Sequence, residues 1–327
     1  MKLEFIMSGA QRAVQKVKAY ARYGKFHIFF VIFRYFVLIG IAYLMLFPLF
    51  QMLANALSNW TDIKEGTTVY IPKNPTFMNF KEALVVFRYK DSALYTAQFT
   101  ILATVCQLFS TSLAGYALAR YKFKGSGLLF ACVILTIIVP LQTAQIPMFL
   151  EYQHFDFFGI GRLIGLFTGE PVTVNLLNSI WVYVLPAALG VGLSSGLYIF
   201  LFRQMFRTIP KSLDEAAKVD GCGKWGILFR IMLPNAVPVY VTVTLISFIN
   251  YWNDTIIGTM FNSQTALKPL MVYIKQNILT AFSSVDEAMQ KVQTCAVYFL
   301  AVAPLLLLFI VCQKFFVDCM DRSGVKG

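Results

Sequence analysis

Few residues in this sequence have types and spacings that suit catalysis. Gly192-Leu193-Ser194-Ser195-Gly196 matches the GxSxG pattern of serine hydrolases. The two histidines, His27 and His154, lie outside that apolar stretch, and no strand is predicted before it. The same five residues also match GxxxG, a motif through which membrane helices pack closely. We therefore predict helix packing as their role.

Sequence patterns for cofactor and metal sites are also missing. No GxxxxGK[ST] phosphate-binding loop occurs, so any ATP has to be hydrolysed by another chain. The six cysteines form no CxxC pair, and two histidines are too few for a cluster of metal ligands. We predict a chain that is not an enzyme and that binds no metal and no cofactor itself.

Uncharged apolar stretches dominate the chain. Hydrophobic residues make up 58% of it and charged residues 13%, against about 25% charged residues in soluble domains. Six stretches without Asp, Glu, Lys or Arg exceed the roughly 20 residues that cross a bilayer. We predict an all-α integral membrane protein with a six-helix transmembrane domain at 26–317. The predicted spans are 26–53, 93–119, 127–150, 176–202, 237–260 and 294–317.

Basic residues are concentrated on one side of this topology. Segment 1–25, the connections 120–124 and 203–230, and the tail 318–327 carry most of the Lys and Arg. An excess of Lys and Arg marks cytoplasmic segments, so both termini are predicted to be inside. Segment 1–25 is predicted to lie on the inner membrane surface. The net charge of +12 then reflects topology and anionic lipid, and no nucleic-acid partner is predicted.

One acidic residue, Asp254, lies inside a predicted span. An acidic side chain at a helix centre costs about 2.5–3.5 kcal/mol on insertion scales, so we expect Asp254 to face a wet cavity or to lie off-centre. Trp252 and Asn253 precede it and could bind a solute by stacking and hydrogen bonding. These three residues are candidates for a translocation pathway. The alternative is an interfacial tryptophan at a polar helix end, and the spacing leaves both open.

The longest predicted cytoplasmic connection, 209–238, has the pattern of a short helix outside the membrane. The stretch from Ser212 to Glu215 matches a capping box, in which the serine caps the helix and the glutamate reaches back. Gly221 suits the left-handed residue that ends such a helix. We predict a polar helix of about two turns, and a second helix that begins near Trp225 and reaches the membrane boundary.

This connection resembles the loop that defines the permease subunits of bacterial binding-protein-dependent ATP-driven importers. The matching residues are Glu215, Ala216, Ala217, Asp220, Gly221, Phe229, Ile231, Leu233, Pro234 and Pro238. In that family the loop carries the coupling helix, which sits in a cleft of the cytoplasmic ATPase. The resemblance implies that five of these residues transmit the motion of the ATPase. They are Glu215, Ala216, Ala217, Asp220 and Gly221.

Further motifs are similar to those of maltose-type carbohydrate permeases. They are Ile71-Pro72, Pro75-Thr76, Asn79-Phe80, the segment 114–125, Pro140, Ile146-Pro147, Trp252-Asn253-Asp254 and Gly324-Val325-Lys326-Gly327. In that subfamily the tail reaches into the ATPase dimer. The resemblance therefore implies an ATPase contact for Gly324, Val325, Lys326 and Gly327. Two segments depart from the pattern, because 157–195 is longer and richer in Phe and Gly, and 318–323 is more polar.

The resemblance also implies a function. The chain would be the transmembrane subunit of an ATP-binding-cassette importer in the bacterial plasma (inner) membrane, and it would form the pathway for a sugar or oligosaccharide. Its partners would be a second homologous permease, two cytoplasmic ATPases that carry ATP and Mg, an extracytoplasmic sugar-binding protein and the lipid bilayer. The identity of the sugar stays open. Whether the chain pairs with a copy of itself or with a different permease also stays open, although the family favours a different one.

Two other functions are alternatives to the importer permease. An ion-gradient-driven secondary transporter of a small solute would need an ion relay in the spans, where Asp254 is the only acidic candidate. A membrane-embedded hydrolase would need a convergent cluster of His, Asp or Ser, which two scattered histidines do not provide. The importer permease is the function that we predict from the sequence.

Overall fold

The computed structural model describes residues 2–66, 71–139, 141–262, 268–281 and 286–323. In these ranges the regular secondary structure is helical apart from two isolated bridges, Ser58–Pro75 and Phe155–Val174, which confirms the predicted all-α class. The first helices are α1 (Lys2–Leu57), α2 (Trp60–Lys64), α3 (Met78–Val86), α4 (Tyr89–Arg120), α5 (Ser126–Ile138), α6 (Gln145–Gln153), α7 (Ile160–Thr168) and α8 (Trp181–Ala188). The later ones are α9 (Ser195–Thr208), α10 (Lys211–Val219), α11 (Lys224–Ile227), α12 (Leu233–Asn235), α13 (Val237–Trp252), α14 (Ile256–Phe261), α15 (Leu270–Ala281) and α16 (Glu287–Ser323).

Three helices are long and apolar enough to cross a membrane. They are Phe29–Leu57 of α1, the whole of α4, and Glu287–Phe315 of α16, and they correspond to the predicted first, second and sixth spans. α1 begins at Lys2 and runs into the first span without a break, so that the basic N-terminal segment is helical. Its place on the inner membrane surface stays a prediction.

The predicted third span, 127–150, is wrong as a single helix. α5 has 13 residues, which at 1.5 Å per residue is about 20 Å and too short for a bilayer. It ends at Val139, whose ψ of 120° is the extended conformation favoured before a proline, here Pro140. Helical structure resumes in a 3-10 turn, Leu141–Ala144, and in α6.

The predicted fourth span, 176–202, is also wrong as a single helix. Gly190, two residues after the end of α8, has a φ of +75° and stops the helix. The N–H of Val191 donates to the carbonyl oxygen of Pro186 at 2.9 Å. This is the hydrogen-bonded helix end known as the Schellman motif. The chain turns again at Ser194, with a φ of +57°, before α9 begins. The stretch 189–194 is called the break below.

The predicted fifth span, 237–260, is interrupted near its end. α13 stops at Trp252, and α14 resumes the helix at Ile256. At its other end α13 is bent by 77° from the helical segment Lys224–Asn235. Counting this bent pair as one span, four spans qualify by length and composition among the described residues, so the six-span count stays a prediction.

α4 is the central element of the fold and packs against α8, α9 and α13. Glycines allow this close approach: a Cβ on Gly115 of α4 would lie 2.6 Å from the Cβ of Phe202 on α9. A Cβ on Gly196 of α9 would lie 2.9 Å from the carbonyl oxygen of Val133 on α5. Gly192 is closely packed as well. Close packing of both glycines is therefore confirmed, although Gly192 lies in the break and not on the helix that contains Gly196.

Candidate coupling site

α10 forms the first part of the predicted cytoplasmic connection, but its start differs from the prediction. The helix begins at Lys211, and Pro210 is its N-cap residue, with a φ of −57° and a ψ of 137°. Ser212 is therefore the second helical residue and not the cap, so the predicted capping box with Glu215 is wrong. The fixed φ of proline already suits a helix start, and Asp214 turns inward to another partner described below.

The end of α10 agrees with the prediction for Gly221. This glycine has a φ of +78°, and its N–H donates to the carbonyl oxygen of Lys218 at 3.1 Å. The N–H of Cys222 donates to the carbonyl oxygen of Ala217 at 2.9 Å. The pair of bonds is a Schellman motif, which ends the helix sharply and fixes the direction of the following chain.

The five predicted coupling residues do not all face the same way. Glu215, Ala216, Asp220 and Gly221 are exposed. Ala217 is buried in the chain's own core, where the cluster around it includes Phe206, Ile209, Ile227 and Met232. Four of the five residues can therefore meet a partner, whereas Ala217 seats α10 on the rest of the protein.

Three large apolar side chains of the same connection are more than half exposed, and the sequence did not indicate them as a surface. Val219 is 88% exposed, Trp225 63% and Phe229 51%. The rings of Trp225 and Phe229 stack with centroids 6.1 Å apart. Trp225 and Phe229 are four residues apart, so on a helix they lie on the same face. This spacing could have predicted the stacked pair from the sequence. These three residues are called the apolar docking residues below.

The second helix of the connection begins at Lys224, as predicted near Trp225, and it contains an irregular turn. A π turn at Leu228–Met232 lies between α11 and α12. Ala236 then marks the 77° bend into α13. π turns inside helices are frequent at functional sites. The connection is therefore joined to a membrane helix through a bent and irregular segment.

A buried ion pair joins α10 to α4. The Nη1 atom of Arg120 lies 3.5 Å from Oδ2 of Asp214, and the two side chains are only 6% and 14% exposed. Nη2 of Arg120 also donates to the carbonyl oxygen of Ile209 at 2.8 Å. This pair was not predicted, because neither the basic connection 120–124 nor the motif segment 114–125 indicates a partner for Arg120.

The predicted pathway residues have different surroundings from those expected. Trp252 is 3% exposed, stacks on Phe248 with centroids 5.8 Å apart, and donates from Nε1 to the carbonyl oxygen of Ala301 at 2.9 Å. It is a core residue without a free face, so the predicted stacking role is wrong in this structure. Asn253 is exposed, which leaves its pathway role as a prediction.

Asp254 is satisfied by contacts within the chain. Its Oδ2 atom accepts hydrogen bonds from the N–H of Gly258 and the hydroxyl of Tyr183, both at 2.9 Å. Its Oδ1 atom accepts from the N–H of Ile257 at 3.3 Å. The carboxylate therefore lies at the N-terminus of α14, where free N–H groups favour it. Because α13 ends at Trp252, Asp254 lies off-centre at a helix end, which is one of the two positions that we expected.

Polar residues at the break of the fourth span were not predicted. Nε2 of Gln107 on α4 donates to the carbonyl oxygen of Leu193 at 2.6 Å and to Oγ of Ser195 at 2.9 Å. Nδ2 of Asn250 on α13 donates to the hydroxyl of Tyr198 at 3.0 Å. Ser194, within the break, is exposed. Broken membrane helices with polar groups are where transporters expose backbone to their pathways.

Two other site predictions stay untested. The tail residues Gly324, Val325, Lys326 and Gly327 lie outside the described residues. In the described part of the chain, no three His, Cys, Asp or Glu side chains come together as a possible metal site.

Curated relatives of the chain are transport proteins. It is 28% identical over 306 residues to the arabinooligosaccharides transport system permease protein AraQ of Bacillus subtilis (strain 168), covering 90% of this chain and 94% of the relative. It is 25% identical over 295 residues to the AraQ protein of Halalkalibacterium halodurans, covering 88% and 93%. It is 26% identical over 287 residues to the sulfoquinovosyl glycerol transport system permease protein SmoH of Agrobacterium fabrum, covering 86% and 89%.

A solved structure and a family model agree with these relatives. A chain of a bacterial ABC transporter involved in the import of the acidic polysaccharide alginate has the same fold, with a TM-score of 0.66, 23% identity, and coverage of 88% of this chain and 96% of that one. Residues 108–323 match the family model described as "Binding-protein-dependent transport system inner membrane component". The match spans more than half of the sequence and confirms the resemblance read from the 209–238 connection. This chain belongs to the family of inner membrane components of binding-protein-dependent transport systems.

Proposed function

We propose that this chain is the permease subunit of an ATP-binding-cassette importer, and that with a second permease it forms the pathway for a sugar or oligosaccharide. Two cytoplasmic ATPases carry the ATP and Mg, and an extracytoplasmic sugar-binding protein delivers the solute. The chain sits in the bacterial inner membrane with six spans, some of them broken, and with both termini in the cytoplasm. It hydrolyses nothing itself.

The exposed face of the connection 209–238 is the observation that carries this proposal. α10 is a short polar helix with Glu215, Ala216 and Asp220 exposed, so it has no place inside a bilayer. The apolar docking residues lie in the same connection and are exposed. Exposed aromatic anchors are enriched at protein interfaces, and an exposed apolar patch marks an interaction site. A cytoplasmic partner with a cleft for α10 accounts for both features.

The irregular helix after α10 supports a mechanical role. A partner that moves α10 also pulls on the Schellman turn at Gly221, because its two hydrogen bonds fix the direction of the following chain. The motion then reaches the π turn and the 77° bend before α13. When the ATPases bind ATP and close, this motion shifts α13. The shift switches the pathway from its inward-facing to its outward-facing state.

The cargo class rests on the relatives and on the polar break. The relatives' names include an arabinooligosaccharide system and a sulfoquinovosyl glycerol system, which are both carbohydrate cargoes. Ser194, Asn250 and Asn253 are the polar residues that we assign to the pathway. Their hydroxyl and amide groups can donate and accept hydrogen bonds to sugar hydroxyls. Trp252 is left out of the pathway because it is 3% exposed, and Asp254 because both of its carboxylate oxygens accept hydrogen bonds within the chain.

The ATPase partner is tested by purification of the tagged chain from its native membranes, with mass spectrometry of the proteins that accompany it. We expect a Walker-motif ATPase and a second permease. Val219→Glu places a charge on an 88% exposed docking residue and is expected to lose the ATPase but keep the second permease. Leu166→Glu is the matched control, since Leu166 is 80% exposed on α7, outside the connection.

The opposite result is equally clear. A chain that purifies alone, and that drives uptake of a labelled arabino-oligosaccharide into vesicles lacking ATP, would overturn the proposal. It would favour the secondary transporter instead. Retention of the ATPase by Val219→Glu would mean that the connection is not the docking surface, whereas loss in both glutamate variants would mean that the effect is not specific to the connection.

A further inference from the structure

The Arg120–Asp214 ion pair has a feature that packing does not explain. Both groups are nearly buried, yet the pair is incomplete, because Nε of Arg120 and Oδ1 of Asp214 are buried without a hydrogen-bond partner. The one close approach between them is 3.5 Å, longer than the roughly 2.7–2.9 Å of a charge-assisted hydrogen bond. Buried charges that are only partly satisfied are unfavourable compared with apolar residues of similar size. The pair is therefore not explained as a source of stability.

The position of the pair suggests a different role. Arg120 is the last residue of α4, and its Nη2 atom also holds the carbonyl oxygen of Ile209, directly before α10. Asp214 lies one turn into α10. Any displacement of α10 therefore acts on the end of α4 through two contacts of one guanidinium. The unused Nε and Oδ1 atoms allow the pair to re-form in a second geometry without leaving a new charge unpaired.

α4 connects this point with the break of the fourth span. Gln107 lies 13 residues before Arg120 on the same unbroken helix, which corresponds to about 20 Å. Its side-chain amide donates hydrogen bonds to Leu193, within the break, and to Ser195, directly after it. Its amide oxygen accepts a hydrogen bond from the hydroxyl of Ser247 on α13 at 3.2 Å. A rigid helix with a polar junction at each end can carry a displacement between them.

We propose that Arg120 and Asp214 are positioning residues that make α4 move with α10, so that motion of the ATPase reaches the broken fourth span. This route is separate from the one through the bend before α13. The proposal rests on the proposed function, because it needs an ATPase docked on α10. Neither residue has to touch the ATPase or the solute.

The test measures hydrogen exchange in the complete complex purified from native membranes, with and without a non-hydrolysable ATP analogue and Mg. In the unaltered complex we expect the nucleotide to change exchange both in α10 and at the break, 189–194. In Asp214→Asn the change in α10 stays, while the change at the break falls by about fivefold or more, the low end of ordinary allosteric coupling. The double variant Arg120→Asp with Asp214→Arg is expected to restore part of the response.

A second ion pair on α4 provides the matched control. Arg88 and Asp91 lie 3.4 Å apart at the other end of the helix, with both side chains about half exposed. Asp91→Asn is expected to leave the response at the break unchanged. The proposal is overturned if Asp214→Asn responds at the break as the unaltered complex does, or if it loses the response in α10 as well. An unaltered complex without any response to nucleotide would instead overturn the proposed function.

Discussion

The connection 209–238 and the segment Trp252–Asp254 have similar sequence features, but their side chains have different surroundings in the structure. Both combine aromatic or small residues with acids, and both match motifs of importer permeases. In the connection, Glu215 and Ala216 face outward. In the second segment, Trp252 lies in the core and Asp254 is bonded at the start of α14. A motif match thus marks residues that matter, without telling whether they serve a partner or the fold.

This difference separates the expected effects of mutations. Changes on the outward face of the connection should weaken binding of the ATPase and leave the isolated chain as stable as before. Changes at Trp252 should do the reverse. A variant on the outward face that mainly lost stability, or a variant at Trp252 that mainly lost ATPase binding, would remove the distinction between the regions.

The largest effect on the chain itself is expected for Trp252→Ala. The substitution leaves a cavity beside Phe248 and removes the hydrogen bond to the carbonyl oxygen of Ala301. Large-to-small changes of buried aromatic residues cost about 3–5 kcal/mol. The measurement is the temperature at which the detergent-solubilised chain loses its monodisperse peak. Trp181→Ala is the control, since Trp181 is 51% exposed, and a similar loss in both variants would contradict a core role for Trp252.

The reverse pattern is expected for Trp225→Ala. Trp225 is 63% exposed, and exposed substitutions usually change stability by no more than about 0.5 kcal/mol. As a central aromatic anchor it should contribute about 2 kcal/mol to ATPase binding, roughly a 30-fold change in affinity. The affinity is measured by titrating the purified ATPase onto the chain in nanodiscs. Unchanged affinity would exclude Trp225 from the docking surface.

A smaller effect is expected for Gly221→Ala. No atom lies within 4 Å of the position that the new Cβ would take, so the cost comes only from the φ of +78° and is about 1–2 kcal/mol. Hydrogen exchange of the amides of Gly221 and Cys222 reports it, because both bonds of the Schellman motif would weaken. Gly226→Ala, inside α11 and with 3.7 Å to the nearest Cβ, should have no effect or slow exchange slightly. Equal acceleration in both variants would contradict this account.

The same helix-ending glycine was predictable at one place and not at another. Gly221 follows a polar segment, so its role as a helix end could be read from the sequence. Gly190 ends α8 with the same pattern of hydrogen bonds, but it lies in a long uncharged stretch that indicated one continuous span. Apolar composition reports the solvent around a helix and not its continuity. The break in the fourth span was therefore missed.

Contacts between distant residues account for the remaining differences. The long apolar helices and the family could be predicted, because hydrophobic length and a local motif are properties of adjacent residues. The burial of Trp252 depends on Ala301 of α16, and the pairing of Arg120 with Asp214 depends on how α4 meets α10. Neither contact follows from spacing along the chain.

An exposed ion pair within the chain gives the smallest expected effect. Lys64 at the end of α2 pairs with Asp286, just before α16, and the two side chains are 59% and 35% exposed. The hydrogen bond from the Lys64 ammonium, followed by that from the N–H of Ala288, holds the pKa of Asp286 below its usual value. The pair shows that an exposed charge can serve the fold, so exposure alone does not indicate a partner.

The sign of the pH dependence follows from the lowered pKa of Asp286. The folded chain binds this proton less readily than the unfolded chain, so the contribution to stability is complete above the unfolded pKa, near 3.9, and is lost as the pH falls through the folded value. Asp286→Asn should therefore lower the thermal unfolding midpoint slightly at pH 7, and the two midpoints should converge as the pH falls below the lowered pKa of Asp286. Salt at about 1 M should also reduce the difference, because exposed pairs are screened. A difference that persists under both conditions would mean that Asp286 acts through its hydrogen bond to Ala288 or through packing, and not through its charge.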